Sequence, residues 1–261
     1  MPNVALTIAG SDPSGGAGIQ ADLKTFHQFG VYGSAVLTLL TVQNTQSVTR
    51  VELMDPKLVS EQLRAVLDDI PPAAVKTGAL GSAGIIRAVA AELRGSNFPL
   101  VIDPVMVSKH GAPLIDSDAV SALVKHLFPR ARLVTPNIPE AEALISGVIQ
   151  SPEDMERAAR LIQEMGPEAV LVKGGHLDGE ALDLLLEAGR IYRYPARRIE
   201  TRHTHGTGCT YSAAITACLA NGLNIADAVK TAKAFVTEAI RTAPGLGQGY
   251  GPVNHLAPVL A

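Results

Sequence analysis

The sequence contains no tryptophan, only two cysteines (Cys209 and Cys218), 4% aromatic residues and 18% charged residues. Two cysteines in 261 residues cannot form a disulfide framework, so the core must come from burial. The 22 basic and 25 acidic residues nearly cancel, leaving −3 with histidine neutral. Such a balance carries no electrostatic footprint for DNA, RNA or an anionic membrane. No uninterrupted apolar run approaches the roughly 18 residues of a membrane span. The start, Met1-Pro2-Asn3-Val4-Ala5-Leu6, lacks the basic segment and long apolar stretch of a secretory signal. The expectation is a cytoplasmic protein without nucleic-acid or membrane partners. Any anion it holds is held by local geometry.

What is present is 47% apolar residues and 24 glycines. That is enough apolar material for one sizeable core, and the small residues suit close helix-on-sheet packing. Short apolar runs at 4–9, 36–42, 100–103, 133–135 and 170–173 read as buried strands, with Gly10 breaking the first. Residues 190–194 alternate in character and read as an antiparallel edge strand. Between the runs lie helices with start signals at Asp55-Pro56, Ser82, Ser151-Pro152 and Asn224. Strands alternating with helices, without repeat or linker, imply one α/β domain over residues 1–261, its sheet mostly parallel and flanked by helices. Ligands of such sheets bind beyond the carboxyl ends of the strands. That directs attention to Asp12, Gln43, Asp103, Asn137, Glu140 and Lys173.

Two glycine loops each precede a helical pattern. Residues 10–18 give Gly10 and Gly15 the spacing of a phosphate-binding loop, but Gly16 and Ala17 stand where lysine and a hydroxyl are needed. A dinucleotide fingerprint is met loosely at 16–21, without the acidic residue that reads a ribose. Close packing explains this loop as well as ligand contact does. The second loop, His205-Gly206-Thr207-Gly208-Cys209-Thr210, leaves backbone N–H groups uncovered at a helix start, where they stabilise charge on a transferring phosphoryl group. Both loops are therefore expected to offer backbone donors to a triphosphate. Cys209 falls in the first turn of its helix, where the dipole favours thiolate, as a base or a nucleophile. Cys218 reads as a packing residue. Asp103 and Glu140 are oxygen donors suited to Mg²⁺, although Glu140 also fits as an acid satisfying a helix N-terminus. A zinc site from His203, His205 and Cys209 lacks a fourth ligand, and a Cys–His hydrolase fits the two-glycine turn poorly.

Taken together, Ala9-Gly10-Ser11-Asp12-Pro13-Ser14-Gly15-Gly16-Ala17-Gly18-Ile19-Gln20-Ala21-Asp22 resembles the opening of hydroxymethylpyrimidine/phosphomethylpyrimidine kinases of thiamine biosynthesis. Val42-Gln43-Asn44-Thr45, Asp103-Pro104-Val105-Met106, Thr135-Pro136-Asn137-Ile138-Pro139-Glu140, Val172-Lys173-Gly174-Gly175-His176 and the 205–210 loop resemble the family's remaining motifs, in order. The resemblance runs from about Val4 to Asn254. It implies a ribokinase-like fold, a homodimer, and ATP and Mg²⁺ as cofactors. The implied reaction is phosphoryl transfer to an aminopyrimidine alcohol and then to its monophosphate. Gln43 would hydrogen-bond the aminopyrimidine in a pocket with Gly10, Asp22, Ala79 and Val105. Asn137, Lys173 and Thr207 would contact the nucleotide, and Asp103 and Glu140 the metal. Gly206, Thr207 and Gly208 would cradle the phosphoryl group while Cys209 faces the hydroxyl. The sequence departs from the pattern at Ala79, where many relatives carry methionine, so a pyridoxal kinase of the same fold is the nearest alternative. A vitamin-binding module without catalysis would not need the 206–208 loop or the acids. His110 falls in a segment that could cover the site.

Overall fold

The structure is a computed structural model that describes residues 2–108, 111, 114–175 and 180–259. His110 of the candidate covering segment and His176 of the fifth motif lie outside the described residues.

A nine-stranded sheet organises the chain, in the order β3-β2-β1-β4-β5-β6-β7-β8-β9. β1 (Val4–Ser11), β2 (Tyr32–Gln43), β4 (Ala74–Thr77), β5 (Leu100–Ile102), β6 (Leu133–Val134) and β7 (Ala169–Lys173) run parallel. β3 (Val48–Leu53) pairs antiparallel with β2 at one edge, and β8 (Asp183–Glu187) and β9 (Arg190–Tyr194) antiparallel at the other. The expected edge strand at 190–194 is thus present. β3, β4 and β8 were not anticipated.

Alternation along the strands divides the core. Leu6, Ile8, Val134, Val170 and Val172 face one side, against α2 (Pro56–Asp69), α3 (Ala83–Glu92), α4 (Ser117–His126), α5 (Ile138–Ile145) and α6 (Pro152–Gln163). Ala5, Leu133, Ala169 and Leu171 face the other, against α1 (Gly18–Gln28), α7 (Thr207–Ala220) and α8 (Ile225–Arg241). Asp55, Ser82, Ser151 and Asn224 cap their helices as their positions predict, each accepting a backbone N–H in the first turn. Among the described residues no helix is long and apolar enough to cross a membrane.

Gly10 lies inside β1 rather than after it, because the strand continues to Ser11. A Cβ there would collide with the Leu39 side chain, so Gly10 serves β1–β2 packing and is itself buried.

Candidate active site

The carboxyl ends of the parallel strands bring the singled-out residues to one rim of the sheet. Asp103 follows β5, Asn137 follows β6, and Lys173 closes β7, with Asn137 and Lys173 bridged backbone to backbone. Lys173 Nζ donates to Asp103 Oδ1 at 2.9 Å, and the Thr135 hydroxyl approaches the same oxygen at 3.2 Å. Ser212 Oγ, from α7, donates to Asp103 Oδ2 at 3.1 Å. A Cβ on Gly208 would stand 3.4 Å from Lys173 Nζ and 3.8 Å from Asp103 Oδ2. The N-terminus of α7 therefore abuts the Lys173–Asp103 pair.

No side chain caps α7, whose N-cap Gly206 is left-handed at φ 78°. A Cβ at Gly206 would overlap the Gly16 carbonyl oxygen, so glycine is required both for the turn and for the approach of the first loop. The uncapped first turn of α7 leaves backbone donors for an anion. Lys173 is 12% exposed beside it and stays charged: burial opposes the charge, but Asp103 and Glu140 raise its pKa above the ordinary lysine value.

The first glycine loop does something other than expected. Asp12, 3% exposed, fills the loop with its own carboxylate. Ser14 N–H donates to Oδ1 at 2.8 Å, Ser14 Oγ and Ala17 N–H each donate to Oδ2 at 2.9 Å, and His205 Nε2 lies 2.7 Å from Oδ2. Asp12 N–H in turn donates to Gln20 Oε1 at 3.0 Å. The Asp12 carboxylate thus takes the Ser14 and Ala17 N–H groups, and the Asp12 carbonyl that of Gly15 at 2.9 Å, where the glycine spacing suggested donors for a phosphate.

Three further expectations change. Cys209 is half-buried in the first turn of α7, but burial pushes its thiol up to about 12 against the pull of Lys76, with Asp22 and Asp103 adding to the rise. The resting state is a thiol rather than the expected thiolate, and Gly18 N–H approaches its sulfur. Asp22 has no exposed surface. Its Oδ2 accepts from Thr7 Oγ1 at 2.6 Å and from Lys76 Nζ at 2.9 Å, which sets it beneath the site rather than on an open wall. Asn137 and Glu140 form a reciprocal capping box on α5: Glu140 N–H donates to Asn137 Oδ1 at 2.9 Å, and Asn137 N–H to Glu140 Oε2 at 2.8 Å. Burial, with Asp103 nearby, raises the Glu140 carboxyl to about 7 despite Lys173.

Gln43, half-buried at the end of β2, lies with Nε2 3.3 Å from His205 Nε2 and Oε1 3.2 Å from Thr41 Oγ1. Ala79 is half-buried after β4, its carbonyl accepting from Thr38 Oγ1 at 2.6 Å, and Val105 is half-buried after Asp103. Lys76 escaped the sequence reading as a site residue. A lysine inside the otherwise apolar run Ala74-Val75-Lys76 was the available signal. His255, whose Nε2 lies 3.1 Å from Thr210 Oγ1 in the first turn of α7, had none. No group of three or more metal-type ligands occurs among the described residues, so His203, His205 and Cys209 do not form a zinc site there.

Comparison with known proteins gives the chain a family and structural neighbours. The phosphomethylpyrimidine kinase family model matches residues 12–254. The chain is 50% identical to the hydroxymethylpyrimidine/phosphomethylpyrimidine kinase of Rhizobium meliloti, covering 98% of this chain and 97% of that protein. It is 51% identical to the thiamine biosynthesis bifunctional protein ThiED of Geobacter sulfurreducens over 96% of its own length, spanning 52% of that longer protein. Among solved structures, the phosphomethylpyrimidine kinase of Clostridium difficile matches with a TM-score of 0.81 and 47% identity, over 91% of this chain and 99% of that one. An ADP complex of Bacillus subtilis pyridoxal kinase matches with a TM-score of 0.91 and 38% identity, over 98% of both chains.

Proposed function

The chain belongs to the phosphomethylpyrimidine kinase family, and on that premise we propose how its residues phosphorylate 4-amino-5-hydroxymethyl-2-methylpyrimidine and then its monophosphate. The γ-phosphoryl donor is ATP. The observation that carries the reading is the open N-terminus of α7 set against Lys173, with Cys209 in the same helical turn. Phosphoryl transfer demands positioning and charge stabilisation more than covalent chemistry. The N–H groups of Gly206 and Gly208, on either side of Thr207, whose own N–H donates to Thr204 O at 3.3 Å, meet the equatorial oxygens of the transferring group, and Lys173 adds a fixed positive charge. Thr207 and Asn137, whose Nδ2 is not used in the capping box, contact the nucleotide.

Cys209 faces the substrate hydroxymethyl group. As a neutral thiol it orients the hydroxyl, and its conversion to a base requires the field of Lys76. Gln43 reads the aminopyrimidine edge, with Ala79 and Val105 as apolar walls; Gly10 and Asp22 support the pocket from below. Asp103 and Glu140 provide the hard oxygens that suit Mg²⁺, which typically uses one or two carboxylates and keeps several waters. One oxygen of Asp103 is shared with Lys173 and one of Glu140 with Asn137, which favours contact through water. When bound, Mg²⁺ offsets phosphate charge. The same reading carries one domain and a cytoplasmic homodimer.

Pyridoxal kinase is the second reading, favoured by the small Ala79 in the pocket wall. The experiment is a mass-resolved assay with ATP, Mg²⁺ and hydroxymethylpyrimidine. Sequential appearance of the monophosphate and diphosphate is expected. No phosphorylated pyrimidine from folded protein would defeat the reading.

A further inference from the structure

We propose that Thr45 is a positioning residue: gripped by the 247–250 segment, it sets the Gln43 end of the β2–β3 hairpin in its working place relative to the 206–208 loop. The inference rests on the function proposed above and deepens it.

Gln43 stands where the sheet gives it little support. β2 pairs with β1 as far as Leu40, opposite Ser11, and beyond that point only β3 continues the ladder among the described residues. A two-stranded ribbon is marginal by itself. The ribbon is also interrupted: Val42 pairs with Arg50 but Gln43 with Val48, so Thr49 is bulged at the last rung. Past that rung the chain closes into a turn of its own. Asn44 N–H donates to Ser47 O at 3.0 Å, and Asn44 Oδ1 accepts from Gln46 N–H at 2.8 Å and Ser47 N–H at 3.0 Å. The turn is a firm unit on a soft ribbon, so its place depends on what holds it from outside.

What holds it is the chain after α8. Thr45 O accepts from Tyr250 N–H at 2.7 Å, and Thr45 Oγ1 from Gly249 N–H at 3.3 Å. A Cβ on Gly247 would overlap the Thr45 hydroxyl, and one on Gly249 the Thr45 carbonyl oxygen, so glycine at both positions lets the segment press on Thr45. The same segment continues to the phosphoryl loop. His205 N–H donates to Gly251 O at 3.0 Å, Val253 N–H donates to His205 O at 3.2 Å, and Gly206 follows as the N-cap of α7. Residues 249–253 thus hold the Gln43 hairpin and the α7 N-terminus on one stretch of backbone.

The substrate hydroxyl has to meet the phosphoryl group in line, and a displacement of about 1 Å at either end lowers the rate. Loosening Thr45 frees the pyrimidine end only, because His205 keeps its bonds to Gly251 and Val253. Lys173 and Asn137, on the nucleotide side, are held by other contacts, to Asp103 and to Glu140.

The test is steady-state kinetics with hydroxymethylpyrimidine and ATP varied in turn. Gly249 is outside the left-handed region, so Gly249→Ala strains no backbone and acts through its contact with Thr45. It is expected to raise the pyrimidine KM by about tenfold or more while the ATP KM stays within about twofold. Thr45→Val, which deletes the Oγ1 acceptor, raises the pyrimidine KM by about fivefold, and Thr45→Ser, which keeps that acceptor, restores most of the loss. Because Thr45 acts through Gln43, the losses do not add: Gln43→Ala/Thr45→Val is expected to be about as active as Gln43→Ala. A general weakening of the fold would instead raise both KM values and add to the loss from Gln43→Ala. Additive losses, an equal rise in the ATP KM, or an unchanged pyrimidine KM in the folded Gly249→Ala protein overturns the proposal alone. Thr45→Val, read in the same way, decides if Gly249→Ala does not fold. Failure of wild type to phosphorylate the pyrimidine overturns the function reading, and the proposal falls with it.

Discussion

Lys76 Nζ lies 2.9 Å from Asp22 Oδ2, and neither side chain has any exposed surface. The pair ties β4 to α1, and both charges act on the Cys209 thiol, Lys76 lowering its pKa and Asp22 raising it. Removing one partner leaves an uncompensated buried charge. Lys76→Met is expected to cost about 3–5 kcal/mol in urea unfolding, and the double variant Lys76→Met/Asp22→Asn less. A single variant as stable as wild type would contradict the pairing.

Cys209 is expected to matter through its position. Cys209→Ala and Cys209→Ser lose turnover by about 100-fold or more while ATP still binds, read by calorimetry. Because burial keeps the group protonated, alkylation of Cys209 by iodoacetamide at neutral pH is expected to be slow. Near-normal turnover in either variant would remove Cys209 from the mechanism.

Gly206 is left-handed, and its hydrogen faces the Gly16 carbonyl. Gly206→Ala drives the two loops apart, so activity is lost and thermal stability drops by about 1–3 kcal/mol or more. An active, equally stable variant would contradict the close approach.

His255 is buried against Thr210, and burial lowers its pKa from 6.5 to about 4, with Lys24 and His205 adding to the fall. Between those values the unfolded chain binds a proton that the folded chain does not. Stability contributed by neutral His255 is thus complete above pH 6.5 and is lost as pH falls toward 4. The loss amounts to roughly 3 kcal/mol. Denaturant midpoints for wild type and His255→Gln across this range test it: the variant's curve is expected to be flatter.

Much of this architecture was legible because its signals are local. Asp55, Ser82, Ser151 and Asn224 announce helix starts through the N–H groups they accept, and residues 100–103, 133–135 and 170–173 are apolar enough to read as buried strands. β3 escaped because Thr49, Arg50 and Glu52 are exposed on an edge, and β4 because it is four residues long and includes Lys76. Within the site, strand-end position pointed to Asp103, Asn137, Glu140 and Lys173, which the structure gathers at one rim. The 10–18 loop departs from the expectation because its spacing shows where donors lie but not that Asp12 takes the N–H groups of Ser14, Gly15 and Ala17. The Cys209 thiolate was misread because a helix dipole is visible in sequence, whereas the burial that outweighs it is not. His255 and Lys76 reach the site from distant parts of the chain, and only folding brings them there.

On the function proposed above, the Gln43 and Cys209 rim serves a hydroxymethylpyrimidine rather than a pyridine aldehyde. Steady-state ATP turnover with hydroxymethylpyrimidine, its monophosphate and pyridoxal, measured side by side, tests it most directly. Both pyrimidines are expected to exceed pyridoxal in kcat/KM. A preference for pyridoxal of more than about tenfold, or ~1.4 kcal/mol of transition-state stabilisation, would contradict it.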